Sequence, residues 1–146
     1  MKPKHFGLAP LFLIAACAPS TKDEAIEIRD AWARATAPGQ PTGAIYATLV
    51  NHGAANEALL GAATPAAAMA VLHTSSATGG VARMRIVDRL PIPAGATIAL
   101  APGGTHIMLS GLAGPLVAGQ QTTIALRFAK AGAKQVAVAI VAPGAR

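Results

Sequence analysis

Four side chains in this 146-residue chain have types and a spacing that could do chemistry together. Ten residues separate His73 from Met84, twenty-one separate Met84 from His106, and one separates His106 from Met108 in the stretch GGTHIMLSGL. Both residue types are scarce. Beyond residue 16 the chain holds three histidines, His52, His73 and His106, and three methionines, Met69, Met84 and Met108. Imidazole nitrogen and thioether sulfur together suit a soft cation. Each residue alone has a plainer explanation. A single Met84 or Met108 would be a gap filler in a core, and a single His73 or His106 a hydrogen-bonded or surface residue. The soft-metal reading rests on all four in this pattern. Met69 is assigned to the core. His52, in "NHG", is assigned to a turn.

The elements that must position these residues are short strands. From Ala25 onward, short apolar or alternating runs are broken by Gly, Pro and Asn. AIEIRDAWAR, GAIYATLVN, EALLGAATP, AAMAVLHTS, VARMRIVDRL, ATIALAP, THIMLSGL, QQTTIALRFA and KQVAVAIVAP read as about nine strands. Turn signals at NHG, ATGG, PIPAG and GG punctuate them. The pattern predicts an all-β protein, an antiparallel sandwich or barrel, in one domain over 25–146 without internal repeats. Alanine favours helix, but Pro65 argues against a long helix in the Ala-rich stretch 62–72. Alternation puts His106 and Met108 on one face of their strand and Ile107 on the other. The glycines at 103 and 104 suit a tight turn leading into that strand.

The bulk of the chain excludes several classes. Aromatics make up 3% and charged residues 12%, with a formal net charge of +6. There is no Lys/Arg run and little to stack bases on, which argues against nucleic-acid binding. No nucleophile–base set, paired carboxylates or phosphate loop suggests an enzyme. The first residues read as a targeting segment: Lys2 and Lys4, then the apolar run FGLAPLFLIAA, too short to cross a bilayer. LIAAC places small residues before Cys17, the only cysteine, and resembles a bacterial lipobox. It implies a signal peptide over 1–16, cleavage before Cys17 and lipid attached there. Residues 17–24 then form a lipidated cysteine and a short tether, whose last seven residues reach about 25 Å when extended. Ala18 in the next position favours the outer membrane. The alternative is an ordinary signal peptide and a soluble periplasmic protein. Cleavage removes Lys2 and Lys4 and leaves a net charge of +4. Without a second cysteine, the mature fold has no disulfide, CxxC pair or thiolate site.

Such donors would suit copper(I), a soft cation, in that setting. Thiolates hold it more tightly but oxidise in an envelope compartment, whereas Met carries no proton and forms no disulfide. The imidazoles must be neutral to ligate, so affinity falls with falling pH. Arg83 and Arg85 flank Met84 on the opposite strand face. With Arg89 they form a small basic patch, either simply solvated or a docking surface for an acidic partner or anionic lipid.

The pattern H-x10-M-x21-H-x-M resembles the signature of the periplasmic copper chaperone family PCuAC. AWARATAPGQPTGAIYATLVN, VARMRIVDRLPIPAG, APGGTHIMLSGL and PLVAGQQTTIALRF extend the resemblance over roughly 28–141. It implies a cupredoxin-like Greek-key barrel that binds one copper(I) ion through His73, Met84, His106 and Met108. It also implies a carrier that delivers copper to a cuproenzyme, cytochrome c oxidase being the implied recipient, or to another carrier. Copper sequestration for tolerance is the alternative. Trp32 and Arg34 match the family and are read as structural, the ring in the core and the guanidinium paired nearby. Unlike some members, this chain ends VAIVAPGAR with no His/Met-rich tail. One site is therefore expected, in a monomer tied to a membrane only by lipid.

Overall fold

The structure, a computed structural model, describes residues 25–146. The expected signal peptide, Cys17 and the tether lie outside the described residues. Ten strands follow in order: β1 (Ile26–Arg34), β2 (Thr42–Asn51), β3 (Glu57–Ala63), β4 (Ala67–Thr78), β5 (Val81–Ile86), β6 (Leu90–Ile92), β7 (Thr97–Leu100), β8 (Thr105–Leu112), β9 (Gln121–Phe128) and β10 (Gly132–Val141). None of the described residues is helical. The tenth strand arises because VARMRIVDRL is not one strand. It turns away after Ile86 and resumes as the short β6.

Seven strands close a barrel in the order β4-β8-β2-β1-β10-β9-β3, and the bridge Ala62↔Ala70 joins β3 back to β4. The sheet is not wholly antiparallel, as β1 and β10 run parallel through Trp32↔Ala139 to Arg34↔Val141. Closure removes most free edges. The interior holds Ile45, Leu49, Leu72, Ile107, Leu109 and Leu126, all essentially inaccessible. Each such aliphatic side chain contributes about 1.5–3 kcal/mol by leaving water. Ile107 and Leu109 anchor β8 to this core, so Met108 between them and His106 before them must face outward.

Strand β1 breaks its own alternation. Arg29 pairs with Thr48 and Trp32 with Tyr46, so three steps on β1 span two on β2. Asp30, at φ 49°, is the only non-glycine residue of positive φ among the described residues, and Asp tolerates that region better than most. The bulge shifts the phase of β1. Unbroken alternation from Ile26 would put Trp32 inside. Instead Ala33 is inside, and Trp32 lies outside the barrel against Tyr46. The assignment of Trp32 to the core is thus corrected: it is buried, but on the outer face.

Two buried polar side chains tie loops to the barrel. Asn51 Nδ2 donates to the carbonyls of Ala55 (2.9 Å) and Ile92 (3.0 Å), and its Oδ1 accepts from Gly53 N–H (2.9 Å). The Glu57 carboxylate accepts from Lys130 N–H (2.9 Å) and Ala131 N–H (2.8 Å) in the β9–β10 turn. Burial by itself would raise the Glu57 pKa. Backbone donors from Ala58, Ala131 and Lys130 outweigh it and hold the group below its usual range.

Candidate metal centre

Cross-strand register assembles the four candidate residues. His73 on β4 pairs with His106 on β8, and Val71 pairs with Met108. On the other edge of β4, His73 pairs with Ile86 and Ser75 with Met84. Residues opposite each other share a face. His73, Met84, His106 and Met108 therefore all lie on the outer face of the β5-β4-β8 sheet. Arg83 and Arg85 lie on the other face of β5, as alternation requires. With Arg89 they are exposed.

Each ligand candidate has a distinct environment. His106 is buried (6% exposed), covered by ring contacts with His73 (centroids 6.0 Å, edge-on) and Tyr46 (6.3 Å). Its Nδ1 lies 3.0 Å from the carbonyl oxygen of Gly104. A carbonyl only accepts, so Nδ1 carries a proton, and in the neutral ring Nε2 keeps its lone pair. The same carbonyl accepts from Ser75 N–H at 3.1 Å, which ties β4 to the turn before β8. That turn is Ala101-Pro102-Gly103-Gly104, closed by Gly104 N–H to Ala101 O at 3.1 Å. Pro102 and Gly103, at φ 79°, fill its central positions as a type II turn asks. The tight turn expected at 103–104 is present.

Nδ1 of His73 is buried and has no hydrogen-bond partner. An unmade bond of this kind costs roughly 1–3 kcal/mol, and a cation bound there would relieve it. Met108 is partly buried. Met84 is 61% exposed, on a strand exposed along its whole length. An open groove of about 300 Å³ brings Met84, His106, Met108, Ser75, Tyr46 and Arg34 together; His73 lies beside it, against His106. Among the described residues no three His, Cys, Asp or Glu side chains gather to hold a metal. The donors that do gather are two imidazoles and the thioethers, a set for a soft ion.

Sequence reasoning missed the aromatic support. Trp32 and Tyr46 stack at 4.5 Å, and the guanidinium of Arg146 lies 5.7 Å from the Trp32 ring centre. A row of rings thus runs Trp32–Tyr46–His106–His73 across four strands. Arg34, expected to be paired, donates to the Arg146 carbonyl at 3.3 Å and lines the groove. His52 follows β2 in a turn and lies away from this face, its Nε2 2.7 Å from Glu27. Met69 is a correction: it is 59% exposed, not in the core, and faces outward because it pairs with Ser110.

Residues 26–140 match the family described as "Putative lipoprotein LpqE-like". The chain belongs to the LpqE-like family. "Putative lipoprotein Lxx21020" of Leifsonia xyli subsp. xyli is 35% identical over 135 residues, covering 92% of this chain and 80% of that protein. The apo PCuAC domain from PmoF1 superimposes with a TM-score of 0.70 at 27% identity, over 82% of this chain and 95% of that one. The solution structure of CuI-DR1885 from Deinococcus radiodurans gives 0.63 at 33% identity, over 83% of each chain. The barrel of this LpqE-like chain is the PCuAC fold, and the family resemblance seen in the sequence stands.

Proposed function

We propose that this protein is an envelope copper carrier that binds one copper(I) ion through His73, Met84, His106 and Met108 and passes it to a cuproenzyme. The observation that carries the reading is the register placing all four on one sheet face, with the His106 tautomer already set for Nε2 to donate. The fit is chemical as well: a soft donor set, a buried unpartnered nitrogen on His73, and a likeness to a protein described with bound copper(I).

Release is ligand exchange. An incoming thiol, thioether or imidazole takes one coordination position as one ligand of this chain leaves it. No electron moves, and no covalent bond of the protein breaks. Met84, exposed on the edge strand β5, is the natural first ligand to leave. An exposed ligand beside an open groove favours delivery over sequestration. Arg83, Arg85 and Arg89 make no ion pair with another described residue and offer a docking surface to an acidic acceptor. Cytochrome c oxidase is the recipient implied by the family resemblance. The family description supports a lipid on Cys17, which would hold the carrier at the membrane.

The test is an anaerobic copper(I) titration against a chromophoric chelator, using the chain from Thr21 onward, which retains the whole closed barrel. A Met84→Leu/Met108→Leu variant runs beside it. One tight equivalent in the wild type, lost in a variant of unchanged circular dichroism, supports the site. No binding by the folded wild type sinks it.

A further inference from the structure

Met69 belongs to no part of the centre described above, yet it shares its face. On β4 it stands two residues before Val71 and four before His73. It pairs with Ser110, while Val71 pairs with Met108. Met69 and Met108 are therefore diagonal neighbours on adjacent antiparallel strands. That relation puts their α-carbons about 7–8 Å apart, within reach of two long side chains.

An isolated exposed methionine would be unremarkable, since single apolar residues dot every surface. Met69 is not isolated in that sense. Methionine usually serves as an adaptable filler of cores. Here the described residues include three methionines, and none enters the barrel core. Met69, Met84 and Met108 all stand on the outer face of the β5-β4-β8 sheet. Met69 and Met84 are 59% and 61% exposed. The interior is filled with Leu, Ile, Val, Phe and Ala instead.

We propose that Met69 is a further copper(I) ligand, which with Met108 forms a second, weaker thioether site beside the four-residue centre. The inference rests on copper(I) as the cargo. Two thioethers hold the ion less tightly than two imidazoles and two thioethers, so the second site is transient. It lies along β8 from His106, on the side of Met108 away from the β4–β5 hairpin. Copper can reach it with Met108 still bound: once Met84 has left, the bonds to His73 and to His106 Nε2 break in turn as a bond to Met69 Sδ forms. Each imidazole nitrogen keeps its lone pair, the ion stays copper(I), and no proton or electron has to be supplied. An ion entering or leaving the centre thus passes through a two-thioether position and is not released to water in one step.

The experiment is a methyl NMR titration of the chain from Thr21 onward, with 13C-labelled methionine ε-methyl groups, under anaerobic copper(I). The first equivalent is expected to shift Met84 and Met108. The second is expected to shift Met69 and to move Met108 again. Met69→Leu, checked for fold by circular dichroism, should leave the first equivalent unchanged and abolish the second. A Met69 methyl that stays still through two equivalents, while Met84 and Met108 respond, overturns the second site and leaves the carrier reading intact. Met69 and Met108 shifting together without Met84 supports the thioether pair and removes the four-residue site. If no methyl moves, both fall.

Discussion

The ring of His106 donates from Nδ1 to the carbonyl of Gly104, two residues earlier in the chain, at 3.0 Å. That carbonyl also receives the Ser75 amide. One backbone oxygen therefore sets the tautomer of one candidate ligand and ties down the strand that carries another, His73. A ligating imidazole oriented through its second nitrogen is a common way of fixing metal geometry.

The first prediction concerns that tautomer. In the metal-free protein, long-range 15N–1H correlation should show the neutral His106 ring protonated at Nδ1, with Nε2 carrying the lone pair. Copper(I) should then move the Nε2 resonance and leave Nδ1–H in place. A metal-free His106 protonated at Nε2 and not at Nδ1 would contradict the Gly104 bond.

Tyr46 should matter for copper although it is not a candidate ligand. Its ring packs between Trp32 and His106. Tyr46→Leu removes the aromatic contacts, worth about 0.5–1.5 kcal/mol beyond buried area. It should weaken copper(I) binding by about tenfold, the lower end of what an outer-shell support contributes. Competition titration reads the affinity and urea unfolding the stability. An unchanged affinity would limit the ring to packing.

Gly111 on β8 leaves no room for a side chain against β4. It has φ 68°, and a β-carbon there would sit 2.9 Å from that of Ala68. Gly111→Ala meets both a backbone penalty of roughly 1–2 kcal/mol and a clash that must push the strands apart. Denaturant unfolding should show a loss of about 2–4 kcal/mol from the two together. The register that opposes Met69 to Ser110 depends on the same approach, so copper stoichiometry is expected to change with it.

The surface cluster of Glu27, Arg29 and His52 gives a pH prediction. Hydrogen bonds from Arg29 first, then His52, lower the Glu27 pKa to about 2. A depressed carboxylate pKa contributes stability above the unfolded value of about 4.3 and loses it as pH falls toward 2. The side chain stays partly open to solvent, so salt should weaken the effect. Carboxyl 13C titration should place the Glu27 midpoint well below that of an ordinary glutamate, and Arg29→Ala should raise it. An ordinary midpoint in the wild type would exclude the cluster.

The second arrangement these residues depend on is non-local, and that divides what could be read early from what could not. Alternation is a property of a single strand. His106 and Met108 on one face, with Ile107 opposite, followed from GGTHIMLSGL alone, as did the turn at 103–104; the all-β class followed from the short runs along the whole chain. The spacing of His73, Met84, His106 and Met108 was likewise visible in the sequence. Which strands lie beside one another was not, because pairing is decided by how a closed barrel fills its core, and a slip of one residue would reverse every face. Only the folded chain sets His73 against His106, brings the Tyr46 ring beside it, and turns the Gly104 carbonyl toward Nδ1. Only it reveals the bulge at Asp30, which carries Trp32 out of the core. Only it places Met69 in solvent, because the outward side of β4 is determined by Leu72 packing inward into the core. The sequence by itself determined the donor set and its faces within each strand; the tertiary structure decided the register that brings those faces together, since register is settled by contacts between residues far apart in the chain.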